Sequence, residues 1–179
     1  MTLTVETGAV ITDADSFLSL ADARTLASNY GVTINSDDTT AEQQLRKAYR
    51  YLVDQYEVSL QGKRVSETQT GIFPRQYVYA RGFSIASDSI PQDIKLAQVY
   101  VAGAVESGLD DNQVKTNSDV IAFSVDGVIS ETYSSTKSQP LIGRVPTAEN
   151  MLEPYMNTSN SFNYFDPSAY QYGSYRNVW

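Results

Sequence analysis

Apolar residues along this chain recur at helical spacing in its first two thirds and at strand spacing later. Leu20, Ala23, Leu26, Ala27 and Tyr30 share one helical face. Ser19 precedes them as an N-cap with Asp22 three residues on, and Gly31 follows as a left-handed C-cap, so the pattern predicts a short helix. The next stripe is stronger: Leu45, Ala48, Tyr49, Leu52, Val53, Tyr56 and Leu60 line one side of a second helix. Thr39 or Thr40 is expected to cap it, with Glu42 in its first turn and Gly62 at its end. Tyr49 and Tyr56 offer a base-stacking platform on paper, but aromatics on such a stripe read first as core and interface packing.

The segment from Thr70 to Gly108 is the hub of the pattern. Phe73-Pro74-Arg75 forms a turn, extended at Phe73 because the residue before proline avoids the helical region. From Gln76 to Ile85, Tyr, Val, Phe and Ile alternate with polar residues around Gly82, which predicts a loop with short strand-like pieces. Pro91 opens a third helix with Asp93 near its N-terminus, where a carboxylate favours the dipole. Ile94, Ala97, Val101, Ala104 and Val105 form its stripe, and Gly108 closes it. Beyond, Val120–Val125 and Val128–Tyr133 flank Asp126-Gly127, the signature of a hairpin with a two-residue type I′ turn. Thr147 is expected to cap a last short helix with Met151, Leu152 and Tyr155 facing inward.

The two ends differ from this core. Residues 1–15 alternate weakly (Leu3, Val5, Val10, Ile11) and predict an extended N-terminal arm with one short strand. Residues 157–179 carry Phe162, Tyr164, Phe165, Tyr170, Tyr172, Tyr175 and Trp179 without helical period. Aromatics spaced along a polar arm suit docking into a partner's pockets, with disorder as the plain alternative. The fold class is therefore mainly α: a small helical bundle of three to four helices with an inserted β-hairpin and extended N- and C-terminal arms. The domain division is an N-terminal arm (1–15), a helical domain (16–156) with the hairpin near 119–135, and an aromatic C-terminal docking arm (157–179).

Composition narrows the chemistry. The 179 residues include no histidine and no cysteine, which removes Ser-His and Cys-His nucleophile pairs, imidazole metal sites and disulfides. No phosphate-binding glycine loop is present, and Asp37-Asp38 and Asp110-Asp111 read as solvated turn carboxylates. The chain is accordingly expected to be no enzyme, with no catalytic, cofactor or metal residues. No stretch reaches membrane-spanning length and no targeting peptide is expected. The net charge is −8, which repels phosphate backbones unless basic residues are segregated. They are partly so: Arg46, Lys47, Arg50, Lys63, Arg64, Arg75 and Arg81 cluster in the middle of the chain, whereas the first forty residues are acidic.

An ordered set of motifs carries a resemblance: Leu18-Ser19-Leu20-Ala21-Asp22-Ala23, Ala48-x-x-Tyr51-Leu52, Phe73-Pro74-Arg75, Ile90-Pro91-x-x-Ile94-Lys95-x-Ala97, and the late Pro146…Leu152 helix. From Ser16 to Tyr155 the chain resembles the bacteriophage head–tail adaptor (connector, head-completion) proteins, in the subset labelled DnaT-like single-stranded-DNA-binding. Where such proteins commonly carry Trp-Pro-Arg, this chain has Phe73. The resemblance implies a structural virion subunit made in the host cytoplasm and placed at the head–tail interface. It implies a homo-oligomeric ring, usually of twelve copies, that bridges a portal protein to tail or nozzle components. DNA would pass through its channel without sequence-specific binding.

On that reading the partner-binding residues are Phe73, Arg75, Tyr77, Tyr79, Arg81 and Phe83, with Phe162, Tyr164, Phe165, Tyr170, Tyr172, Tyr175 and Trp179 of the tail. The alternative is a single-stranded-DNA-binding module using the seven mid-chain basic residues, with tyrosines as stacking platforms. It predicts micromolar or tighter binding with a steep salt dependence. The overall charge argues against it.

Overall fold

The computed structural model describes residues 2–109 and 145–157, together with the backbone of two strands between them. Among the described residues the chain is mainly α. The helices are α1 (Leu20–Tyr30), α2 (Asp38–Tyr56), α3 (Gln92–Glu106) and α4 (Pro146–Leu152), with short antiparallel ribbons between α2 and α3 and between α3 and α4. Strand β1 (Lys63–Arg64) pairs with β2 (Arg75–Gln76), β3 (Tyr79–Ala80) with β4 (Phe83–Ser84), and β5 (Val120–Val125) with β6 (Ile129–Tyr133). No described helix is long and apolar enough to cross a membrane.

The stripe on α2 organises the core. Leu45, Ala48, Tyr49, Leu52, Val53, Tyr56 and Leu60 are all buried, and α3 packs along α2 with Ile94, Ala97 and Val101. Helix α4 also packs on α3, burying Ala148 and Leu152, while α1 brings Ala23 and Ala27. Tyr49 and Tyr56 are core residues, so neither is a stacking platform. Tyr49 lies 4.6 Å from the Phe17 ring. It reaches that place because position 71 is glycine: a Cβ there would stand 2.3 Å from the Tyr49 hydroxyl.

The ends of the helices refine the expected caps. Ser19 caps α1 by accepting from the Asp22 amide, and Gly31 takes the left-handed C-cap. Helix α2 starts earlier than expected. Asp37, rather than Thr39 or Thr40, accepts from the Thr40 amide at 2.8 Å and caps it. A carboxylate so placed also meets the positive end of the helix dipole. The helix ends at Tyr56, before Gly62, and passes into a 3₁₀ turn at Glu57–Ser59. Pro91 stands one residue outside α3 as its N-cap. Helix α4 begins on Pro146 itself, with no side-chain cap from Thr147.

The N-terminal residues do not reach outward. Val5 bridges Ser16, and the buried Glu6 carboxylate accepts from the amides of Gly8, Val10 and Ile11 at 2.7, 3.1 and 2.8 Å. Three amides around one carboxylate turn an expected extended arm into a closed loop. The loop is tied inward by Gln98 of α3, which is fully buried. Its Oε1 accepts from the Phe17 amide at 2.9 Å, and its Nε2 donates to Ser16 Oγ at 3.0 Å and to the Leu45 carbonyl at 2.9 Å.

The late hairpin is present, with a different turn length. A two-residue turn would pair Val125 with Val128, whereas the observed register pairs Val125 with Ile129. Residues 126–128, and all of the aromatic tail from 158 to 179, lie outside the described residues.

Candidate nucleic-acid interface

Residues 76–85, read from sequence as a loop with short strand-like pieces, form a small supported hairpin. Arg81 and Gly82 are its two turn residues between Ala80 and Phe83, and both have positive φ (52° and 85°), as a type I′ turn requires. Gly82 tolerates that conformation freely, and Arg81 adopts it as a non-glycine residue. The alternation then sorts the side chains. Val78 and Ala80 are buried against the helical core, while Tyr77, Tyr79 and Arg81 face solvent.

The exposure is unusual for such large apolar groups. Tyr77 is 63 %, Tyr79 48 % and Phe83 74 % exposed, so three of the five large exposed apolar side chains among the described residues fall within seven positions. Isolated apolar residues on a surface carry no message, but a cluster marks an interaction site. The backbone beneath is held firmly. Ile85 donates to the Val78 carbonyl at 2.9 Å, and the Tyr79 amide donates to Gln61 Oε1 at 3.1 Å. Gln61 Nε2 in turn donates to the Met156 carbonyl at 3.1 Å.

Two cations border these rings. The Lys63 ammonium sits 5.7 Å from the centroid of Tyr77, within cation–π range. Arg81 projects from the turn and pairs with Asp93 of α3 at 2.7 Å. Locally the charge is reversed relative to the whole chain: between residues 61 and 87 there are four basic side chains and one acidic, Glu67.

The predicted site residues are not all brought together. Phe73 and Arg75 are corrected: Phe73 is fully buried edge-on against the Tyr155 ring, and Arg75 is 5 % exposed. The Arg75 guanidinium donates to the carbonyls of Gln61 at 2.7 Å and Gly62 at 3.0 Å, an inward structural use of the charge. Burial also draws its pKa below the usual arginine value. Tyr77, Tyr79, Arg81 and Phe83 are all exposed on the one hairpin, with Phe83 opposite Ala80 in the register and so on the other side of the ribbon from Tyr79. Phe162, Tyr164, Phe165, Tyr170, Tyr172, Tyr175 and Trp179 lie outside the described residues.

The seven basic residues disperse as well. Arg46 pairs with Asp15 at 2.6 Å, Arg50 with Asp54 at 2.9 Å, and Arg64 with Glu57. Lys47 stands beside Tyr51, Val105 and Leu109, at the far end of α3 from Arg81. In the sequence Lys63 stands among these cations with nothing that links it to Tyr77. Asp93 carries only a helix-dipole signal there, since nothing in a spacing of twelve positions points to its pair with Arg81. Among the described residues no three carboxylates group to hold a metal ion.

Residues 1–166 match the model of a family described as "Putative DnaT-like ssDNA binding protein". The chain belongs to that family. No curated protein and no solved structure matches it.

The family match corrects the head–tail adaptor expectation. The matched description names single-stranded DNA as what is bound. It offers nothing for a virion, portal, tail or twelve-copy ring, nor for DNA merely passing through a channel. The ordered motifs that suggested an adaptor (the α1 start, the Phe73-Pro74-Arg75 turn, the Pro91 helix) are features of the core here: Phe73 is buried in it, and Pro91 begins the helix that α2 and α4 pack against. Core features of this kind report a shared fold and leave its use open.

Proposed function

We propose that this chain binds single-stranded DNA on the hairpin, with bases stacked on Tyr77, Tyr79 and Phe83 and phosphates met chiefly by Lys63, Arg81 being already paired with Asp93. The observation that carries the reading is the exposure of three aromatic rings on one anchored hairpin. Unstacked bases present apolar faces, and a ring already held in water-exposed position gains from covering one without losing much side-chain entropy. The hairpin's buried residues Val78 and Ala80 keep Tyr77 and Tyr79, which alternate with them, turned away from the core. Membership in a family whose description names single-stranded DNA supports the same ligand.

The proposed mechanism is binding alone, without catalysis. Every base has a π-face, so stacking tolerates any sequence, and the helical body serves to hold the platform. The overall negative charge weakens long-range attraction, which leaves short-range stacking as the dominant contribution.

The test is fluorescence anisotropy of a labelled oligothymidylate with the full chain and its Tyr77→Ala, Tyr79→Ala and Phe83→Ala variants. Base–aromatic stacking is worth about 1–3 kcal/mol per base, so each substitution is expected to weaken binding by roughly 5- to 150-fold. All three side chains are exposed, so circular dichroism should show an unchanged fold. A triple variant that binds as tightly as the wild type would overturn the proposal.

A further inference from the structure

Asp93 stands in the first turn of α3, directly behind the hairpin turn. A single carboxylate oxygen, Oδ2, accepts from Arg81 Nη1 at 2.7 Å and from the Tyr155 hydroxyl at 2.8 Å. Tyr155 is buried and packs edge-on against Phe73, so that oxygen is held from the core side. The Asp93 side chain is 24 % exposed, whereas that of Arg81 is 62 % exposed. A cation offered to solvent beside the aromatic rings is therefore already held by an anion rooted in the helical body.

We infer that Asp93 is a positioning residue that regulates the nucleic-acid interface by competing with a DNA phosphate for the Arg81 guanidinium. The inference rests on the single-stranded-DNA reading above. In the free protein the pair holds the turn against α3. An incoming phosphate finds Arg81 neutralised and a carboxylate close by, so it gains little from that cation. Weak, exchangeable binding follows from this arrangement. Removing the charge while keeping an acceptor should convert Arg81 into a full phosphate contact, because a carboxamide oxygen still accepts from both Tyr155 and Arg81.

The test uses the full chain, a labelled oligothymidylate and a salt series. Asp93→Asn is expected to tighten binding by about two- to fivefold, the range released when an exposed ion pair no longer competes. It should also steepen the plot of log K against log salt by about 0.7, the increment for one more phosphate contact on a single strand. Asp93→Ser, which removes the charge through a smaller side chain, should move both numbers the same way. Glu106→Gln makes the same charge change near the opposite end of α3, about 20 Å away by helix rise, and should leave the slope unchanged.

The double variant Arg81→Ala/Asp93→Asn should show the slope of Arg81→Ala alone. Unchanged or weaker binding by Asp93→Asn at unchanged slope would refute the inference, as would Glu106→Gln matching its effect. Failure of the wild-type chain to bind the oligonucleotide at low salt would instead bring down the parent reading, and this inference with it.

Discussion

The salt dependence of binding is where the structure departs furthest from a reading of the basic residues as a set. Each phosphate neutralised on a single strand contributes about −0.7 to the slope of log K against log salt. Were Arg46, Lys47, Arg50, Lys63, Arg64, Arg75 and Arg81 all in contact, the slope would be about −5, a loss of roughly a thousandfold between about 50 and about 200 mM salt. The structure removes most of them. Arg46, Arg50 and Arg64 each carry a carboxylate partner, Arg75 is spent on backbone carbonyls, and Lys47 lies at the other end of α3. Where a pair such as Arg50–Asp54 is exposed, its acid stays beside the base, and a phosphate meets no net charge.

Lys63 is left as one contact and Arg81 as at most a second. The expected slope is therefore between about −0.7 and −1.4, with a loss of no more than about sevenfold over the same salt range. Anisotropy titrations of a labelled oligothymidylate at five or so salt concentrations measure it directly, and Lys63→Ala should flatten it by about 0.7. A slope steeper than about −4, or one indifferent to Lys63, would show that dispersed cations carry the binding and that the ring surface does not.

Two further outcomes test the fold that holds this surface. Gln98→Leu orphans the buried Phe17 amide, whereas Ser16 Oγ keeps its bonds with Leu18 and the Leu45 carbonyl keeps its helical one. One unsatisfied buried donor costs about 1–3 kcal/mol. A melting temperature lower by roughly 4–8 °C is expected for about 2 kcal/mol in a chain of this size. A variant as stable as the wild type in urea titrations would show that the clamp contributes nothing. Tyr49 gives a pH signature, since burial pushes its phenol up to about 12 from the ordinary value near 10. The neutral form is the one the fold favours, so this contribution is complete below pH 10 and lost as pH rises from about 10 to about 12. Tyr49→Phe should lessen the fall in stability between pH 9 and pH 11; an identical fall in both proteins would contradict the assignment.

What the sequence determined by itself was the local skeleton. A stripe with helical period has one way to be buried, so the apolar faces of α1, α2 and α3 were legible from spacing, and Ser19 and Gly31 announced their caps by chemistry. Alternation between Tyr77 and Arg81 likewise encoded two faces. Which face would be inward was decided only by packing, when Val78 and Ala80 met the core and left the tyrosines outside. Tertiary structure also decided the fate of residues whose types promise surface chemistry.

Phe73 and Arg75 look like an exposed aromatic–cation pair in one dimension. They are interior because Tyr155 and the carbonyls of residues 61 and 62 close around them. Glu6, an ordinary acid in an apparent arm, becomes the buried centre of a loop through three amides supplied by its own neighbours. Pairing of charges is the least legible feature of all. Arg81–Asp93 and Arg46–Asp15 join positions that share no period, and only the folded chain brings each base to its acid. Spacing along the chain thus predicts what is buried locally, whereas net charge at a surface is set by long-range neighbours.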